Sequence, residues 1–182
     1  MNHQLLQSTR ISLRAPELSD LDFMFHIEND TKLWFISANK VPYSRYQLQR
    51  YIRENNHDIY SDKQLRLMIE DNNNRQLVGI IDLFDYSPLH HRAEVGIVIS
   101  ADSRSKGYAT EALELLCYYA ETMLDIHQLY AYVYSNNQAA CSLFKKNNFI
   151  SIAELQDWGC NNGKYQNAII FQRIFPKKTV NN

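Results

Sequence analysis

Glycine is scarce in this chain: five in 182 residues, where an average protein carries roughly 7%. Gly79, Gly96, Gly107, Gly159 and Gly163 are the whole set, so no G-x-G-x-x-G spacing exists and the dinucleotide fingerprint is excluded. The nearest approach to a nucleotide P-loop is Gly159-Cys160-Asn161-Asn162-Gly163-Lys164. It is one residue short and runs into Tyr165 where a magnesium-binding Ser or Thr belongs. Four prolines exclude a Gly/Pro-rich linker or a collagen-like period. Cys117, Cys141 and Cys160 are odd in number and lack metal-ligand spacing, which fits a reducing cytoplasm and no bound metal. A net charge of −1 with scattered basic residues offers no field for nucleic acid. Residues 1–7 have neither a charged n-region nor a long apolar stretch. No apolar run reaches the roughly eighteen residues of a membrane span. A cytoplasmic protein without nucleic-acid or membrane partners is the expectation.

What is present is core-forming material: 45% hydrophobic, 21% charged and 12% aromatic residues, twelve of them Tyr. The length predicts a single domain over 1–182, with its core at about 10–175. Alternation predicts a strand at 9–14. Pro16-Glu17-Leu18-Ser19 introduces a helix to about residue 29, with Ser19 as cap and Asp20 and Asp22 in its first turn. Ser44-Arg45-Tyr46-Gln47 is a capping box that opens a second helix to about residue 56. Strands at 65–70 and 76–84 flank the polar turn 71–75. The strand at 93–100 is nearly continuous in apolar residues from Val95 to Ile99, which predicts burial on both faces.

The longest helix covers about 106–124, with Ala109, Leu113, Leu116, Ala120 and Leu124 on one stripe. A strand at 129–135, a helix at 137–147 and a hairpin of 149–157 and 164–175 complete the chain, with Asn162-Gly163 able to hold a tight turn. The order β-α-α-β-β-β-α-β-α-β-β requires a crossover between hairpins. It describes an α/β sandwich on a mixed sheet, not a doubly wound Rossmann sheet.

Chemistry concentrates where the apolar strand meets the long helix. A strand, a short loop and a helix start present unpaired backbone N–H groups and the positive end of the helix dipole. Arg104 and Lys106 add two cations, while Gly107 and Ala109 keep the approach clear. The stretch can cradle a pyrophosphate. It can equally be an ordinary capped helix with two solvated basic residues.

Arg104-x-x-Gly107-x-Ala109 resembles the acyl-CoA loop, Q/R-x-x-G-x-G/A, of the GNAT N-acetyltransferase superfamily. Residues 133–149, with Asn137, Ala140 and Phe144, are similar to that family's next strand and helix. Gly163-Lys164-Tyr165-Gln166-Asn167 resembles its acceptor-side hairpin. The resemblance spans about 10–175. It is nearest to the branch holding ribosomal-protein N-terminal acetyltransferases and bacterial spermidine N-acetyltransferases. It implies a GNAT fold: a mixed, mostly antiparallel sheet flanked by helices, with a splayed central β-α-β acyl-CoA site. It also implies acetyl-CoA as co-substrate and direct transfer to a primary amine, with no covalent intermediate on Cys117, Cys141 or Cys160.

By that resemblance, the backbone of Ile97, Val98 and Ile99 pairs with the pantetheine arm. Arg104, Ser105, Lys106, Gly107, Tyr108, Ala109 and Thr110 hold the pyrophosphate, and Asn137 and Phe144 stand beside the cofactor. Asn137 is also well suited to cap the last helix. An ammonium cannot attack a thioester, so a base is needed, and Glu94 is the preferred one, directly or through water. A salt bridge to Arg92 is its structural alternative; His90, His91 and Asp82 are further base candidates. Phe144 stands where many relatives have a Tyr that protonates the departing thiolate. Tyr134, on a strand face shared with Tyr130 and Tyr132, is the candidate replacement, although such stripes also serve packing. Asn148 replaces a Gly after the helix and tolerates the same left-handed conformation.

The acceptor stays open among a polyamine, a peptide N-terminus, a small amine and an aminated metabolite. Spermidine enzymes follow an aromatic pair with paired glutamates. Here Trp34-Phe35 is followed by Ile36-Ser37, and the next helix carries Arg45, Arg50 and Arg53, leaving Glu28 and Asp30 as acidic groups. Two other readings compete: a non-catalytic acyl-CoA-binding module, motivated by Phe144, and a pyrophosphate-binding α/β protein of other chemistry. Edge strands in the last hairpin are compatible with a homodimer or a higher homo-oligomer.

Overall fold

The computed structural model describes residues 5–34, 41–54, 58–161 and 163–176. The strands are β1 (Ile11–Arg14), β2 (Leu65–Asp71), β3 (Leu77–Ser87), β4 (Arg92–Ile99), β5 (Gln128–Tyr134), β6 (Ile150–Asn161) and β7 (Lys164–Ile174). The helices are α1 (Leu21–Glu28), α2 (Arg45–Glu54), α3 (Ile59–Asp62), α4 (Tyr108–Thr122) and α5 (Gln138–Lys146). This is the expected order with one short helix, α3, added. One seven-stranded sheet runs β1-β2-β3-β4-β5-β7-β6. Among the described residues, only β4 and β5 are parallel neighbours; α4 makes the crossover between them.

Alternating strand residues divide the core between the two faces of the sheet. Ile81, Leu83, Val95, Ala131 and Val133 join Leu113 and Leu116 of α4 and Phe144 of α5 in the larger cluster. Met68 and Ile80 point the other way and meet Met24 of α1 with Leu48 and Ile52 of α2. Among the described residues, no helix is long and apolar enough to cross a membrane.

The Ser44 capping box forms as expected: Gln47 N–H donates to Ser44 Oγ at 3.1 Å, and Ser44 N–H to Gln47 Oε1 at 2.8 Å. The end expected for that helix near residue 56, and Phe35, Ile36, Ser37 and Asn162, lie outside the described residues. Ser19 is not a cap. It sits inside a single 3-10 turn (Leu18–Asp20); Asp20 takes the N-cap position of α1 without a side-chain bond to that helix, and its carboxylate accepts instead from Glu17 N–H at 2.7 Å. Arg14 fixes Asp20 at 2.7 Å and Glu70 at 2.6 Å, which ties the entry of α1 to β2.

Burial of residues 95–99 on both faces is also corrected. Ala93 and Val95 are buried, but Gly96, Ile97, Val98 and Ile99 are only half-buried. Ile97 and Ile99 pack part-buried against the larger cluster and Val98 against the smaller, so both faces meet core, but burial is incomplete where β5 parts from β4.

Candidate active site

β4 and β5 stay paired for three residues only: Arg92 with Gln128, Ala93 with Leu129, and Glu94 with Tyr130. Beyond that point β4 continues against β3 as far as Ile99, and β5 against β7 as far as Tyr134. The two central strands therefore part after Glu94 and Tyr130 and leave a wedge. Ser100 N–H donates to Val78 O at 2.9 Å, so Ser100 faces β3. Backbone direction alternates along an antiparallel strand, so Val98 and Gly96 also face β3 while Ile97 and Ile99 face the wedge. Of the three residues expected to meet a pantetheine arm, Ile97 and Ile99 turn backbone groups toward the wedge, and Val98 is paired with Ile80. The Ile99 carbonyl accepts from Arg104 Nε at 3.1 Å, which folds that side chain back over the wedge's open end.

There the chain makes a 3-10 turn (Ala101–Ser103) and enters α4. Ser105 and Gly107 both have positive φ, 61° and 86°. Gly107 is the N-cap, and no side chain caps the helix. The first intrahelical bond runs from Glu111 N–H to Gly107 O at 3.2 Å. The N–H groups of Tyr108, Ala109 and Thr110 are therefore left for another acceptor. Arg104, Ser105, Lys106 and Gly107 are exposed. These groups fit an anionic pyrophosphate: free amides, a positive helix end, and a left-handed turn that a side chain at 107 would strain.

One contributor is not legible in the local sequence. Arg10 lies before β1, yet its Nη2 donates to Lys106 O at 2.7 Å. Its guanidinium lies over the Tyr108 ring at 4.1 Å and 3.8 Å from Glu111. The Tyr108 hydroxyl donates to Asp71 and holds that carboxyl below its ordinary range. The loop is thus gripped from the residue before β1 and from the last residue of β2, contacts that no spacing within residues 97–110 announces.

Glu94 stands at the closed end of the wedge, on the face away from α4. Its strand partner Phe84 leans its ring over Gly96, where a Cβ would lie 2.5 Å from Phe84 Cε2, so Gly96 makes room for that ring. On the other side, the Tyr130 hydroxyl donates to Asp85 Oδ2 at 2.7 Å. The Tyr130 ring must therefore cross β4 beside Glu94 to reach β3. Burial, then the charge of Asp85, pushes the Glu94 carboxyl above its ordinary value. The alternative salt bridge does not form: Arg92 approaches Asp85 instead, at 3.8 Å.

The other candidates are committed elsewhere. Asp82 is buried and gripped by Arg66, at 2.9 Å and 3.1 Å, and Arg66 also holds Glu28 at 2.5 Å. His90 and His91 are exposed on the β3–β4 turn, where His91 Nδ1 meets Asp125 O at 2.8 Å. Asn137 caps α5, its Oδ1 accepting from Ala140 N–H at 3.1 Å. Phe144 is 3% exposed, stacked on Phe171 and edge-on to Phe149, so its ring meets the core. Tyr134 shares the face of Glu94, but its ring rests on Gly159 of β6, where a Cβ would fall 2.3 Å from it. The structure does not bring Tyr134 and Glu94 together. Burial pushes the Cys117 thiol up to about 12, which makes it inert as a nucleophile.

A wedge between parallel strands that opens onto an amide-lined helix start matches the acyl-CoA site that the sequence resemblance implies. Residues 10–150 match the family model for the acetyltransferase (GNAT) domain, and the chain belongs to that family. It is 30% identical over 172 residues to the spermidine N(1)-acetyltransferase of Escherichia coli, covering 91% of this chain and 88% of that one. It is 27% identical over 165 residues to the spermidine N(1)-acetyltransferase of Vibrio cholerae, covering 88% and 91%. The crystal structure of spermidine N-acetyltransferase from Vibrio cholerae in complex with CoA and spermine superposes with a TM-score of 0.79. That match covers 92% of this chain and 96% of that one at 26% identity. The chain is an acetyl-CoA-dependent N-acetyltransferase.

Proposed function

We propose that the chain moves the acetyl group of acetyl-CoA onto a primary amine of a polyamine, in the wedge between β4 and β5, with Glu94 as base. The parting of those strands immediately after Glu94 and Tyr130 carries this reading. It sets a carboxylate at the vertex and backbone groups of Ile97 and Ile99 along one wall. The helix start at Gly107–Thr110 takes the pyrophosphate at the open end, with Arg104 and Lys106 adding charge and Asn137 beside it.

Glu94 first takes a proton from the acceptor ammonium; the freed amine then attacks the thioester carbonyl carbon, the carbon–sulfur bond breaks, and the second nitrogen proton passes to the departed thiolate, giving the amide and CoA thiol. A raised carboxyl pKa suits that proton transfer better than an ordinary one. The thiol of CoA, with a pKa of about 8.5, leaves as thiolate without a side-chain acid. Phe144 cannot supply a proton, and Tyr134 is set against Gly159. A polyamine is favoured over a peptide because the Escherichia coli and Vibrio cholerae relatives are spermidine N(1)-acetyltransferases, and because Asp85 stands beside Glu94 as a second carboxylate.

The test is acetyl-CoA consumption by the full chain with spermidine, a peptide carrying a free N-terminus, and 1-aminobutane. Preferred turnover of spermidine supports the reading. Preference for the peptide, or CoA binding with no transfer to any amine, overturns it.

A further inference from the structure

Between Leu155 and Gly159 the register of β6 against β7 jumps, and Asp157 within that bulge has φ 50°. The bulge swings Trp158 onto the tyrosine face of β5. The indole stacks on Tyr132 with centroids 5.6 Å apart and planes 13° from parallel. Tyr132 meets Tyr130 edge-on at 5.8 Å, and Tyr130 is the strand partner of Glu94. Aromatic rings thus run without a break from the carboxyl at the wedge's vertex to the protein surface. Tyr132 is 41% exposed and Trp158 57%, so much of this stack faces water rather than core.

The local charge matches the rings. Glu94 and Asp85 are acidic, and Arg92, 3.8 Å from Asp85, is the one cation among these three groups. Ring faces are electronegative, and a cation is drawn to one from within about 6 Å of its centroid. The spacing of the rings is below that reach, so a cation at the exposed side of one ring lies close to the next.

We propose that Tyr130, Tyr132 and Trp158 form a distal acceptor subsite, which takes the second, cationic nitrogen of a di- or polyamine while the reacting amine stands at Glu94. This rests on the reading of Glu94 as the acceptor end of the wedge and adds the residues that choose among amines. A monoamine has no second cation to offer the rings.

The test compares wild type, Trp158→Ala, Tyr132→Ala and Trp158→Phe. It uses steady-state kinetics with spermidine and with 1-aminobutane, plus calorimetric binding of spermidine to the CoA-loaded chain. Either alanine variant is expected to weaken spermidine about tenfold in KM and in Kd. KM for 1-aminobutane and for acetyl-CoA should stay within about twofold, and Trp158→Phe should recover most of the loss. Equal losses for both amines, or unchanged spermidine affinity, overturn the subsite. If wild type binds spermidine through these rings without acetylating it, the subsite stands and the proposed acceptor reading fails. If wild type does not bind spermidine, both fail.

Discussion

The guanidinium of Arg10 donates to the main-chain carbonyl of Lys106 at 2.7 Å and lies 4.1 Å from the Tyr108 ring, clamping the helix start proposed to hold the pyrophosphate. Ser8 Oγ holds the neighbouring Glu111 at 2.5 Å, so the grip involves two residues of the segment before β1. Arg10 acts through the loop rather than on the reacting atoms. Arg10→Ala is expected to raise KM for acetyl-CoA about tenfold, with kcat and the acceptor KM within about twofold. Arg10→Lys should recover only part of the loss, because a lysine keeps the charge without the planar fork. A uniform loss in all three parameters would instead mean general unfolding.

Asp85 sits beside Glu94 and raises its pKa, second only to burial. The base must be ionised to act, so the rising limb of kcat/KM with pH lies above the ordinary carboxylate value of about 4.3. Removing a negative neighbour makes ionisation easier. Asp85→Asn should therefore move that limb to lower pH, as read in a full pH–rate profile. A limb that stays in place would assign it to another group, such as the acceptor's own ammonium.

Tyr134 is packed against Gly159 rather than aimed at Glu94. Tyr134→Phe keeps the ring and removes the hydroxyl, and kcat should change by less than about threefold. A loss of 10²-fold or more, the usual cost of removing a general acid, would return that role to Tyr134.

Local patterns made most of the fold readable in the sequence. The Ser44 box, the 106–124 stripe and the polar 71–75 turn each depend on near neighbours, and each has its counterpart in the structure. The Gly107 turn could be read because its φ of 86° favours glycine and its position opens a helix. Three features could not be read, for one physical reason: they depend on residues far apart in the chain. The apolar run of 95–99 looks the same whether β5 covers it or departs from it. Arg10 reaches a loop 96 residues away. Trp158 meets Tyr132 only because a bulge in β6 redirects it. The missing Ser19 cap has a more local cause: Asp20, pulled in by Arg14, turns the chain first.

The most direct measurement is single-turnover acetyl transfer to spermidine by Glu94→Gln, alongside acetyl-CoA binding. Glutamine keeps the shape at the wedge's vertex but cannot accept the proton. Transfer should slow by about 10²–10⁴-fold at neutral pH, with the Kd for acetyl-CoA within about twofold of wild type. Transfer at the wild-type rate would show that Glu94 is not the base.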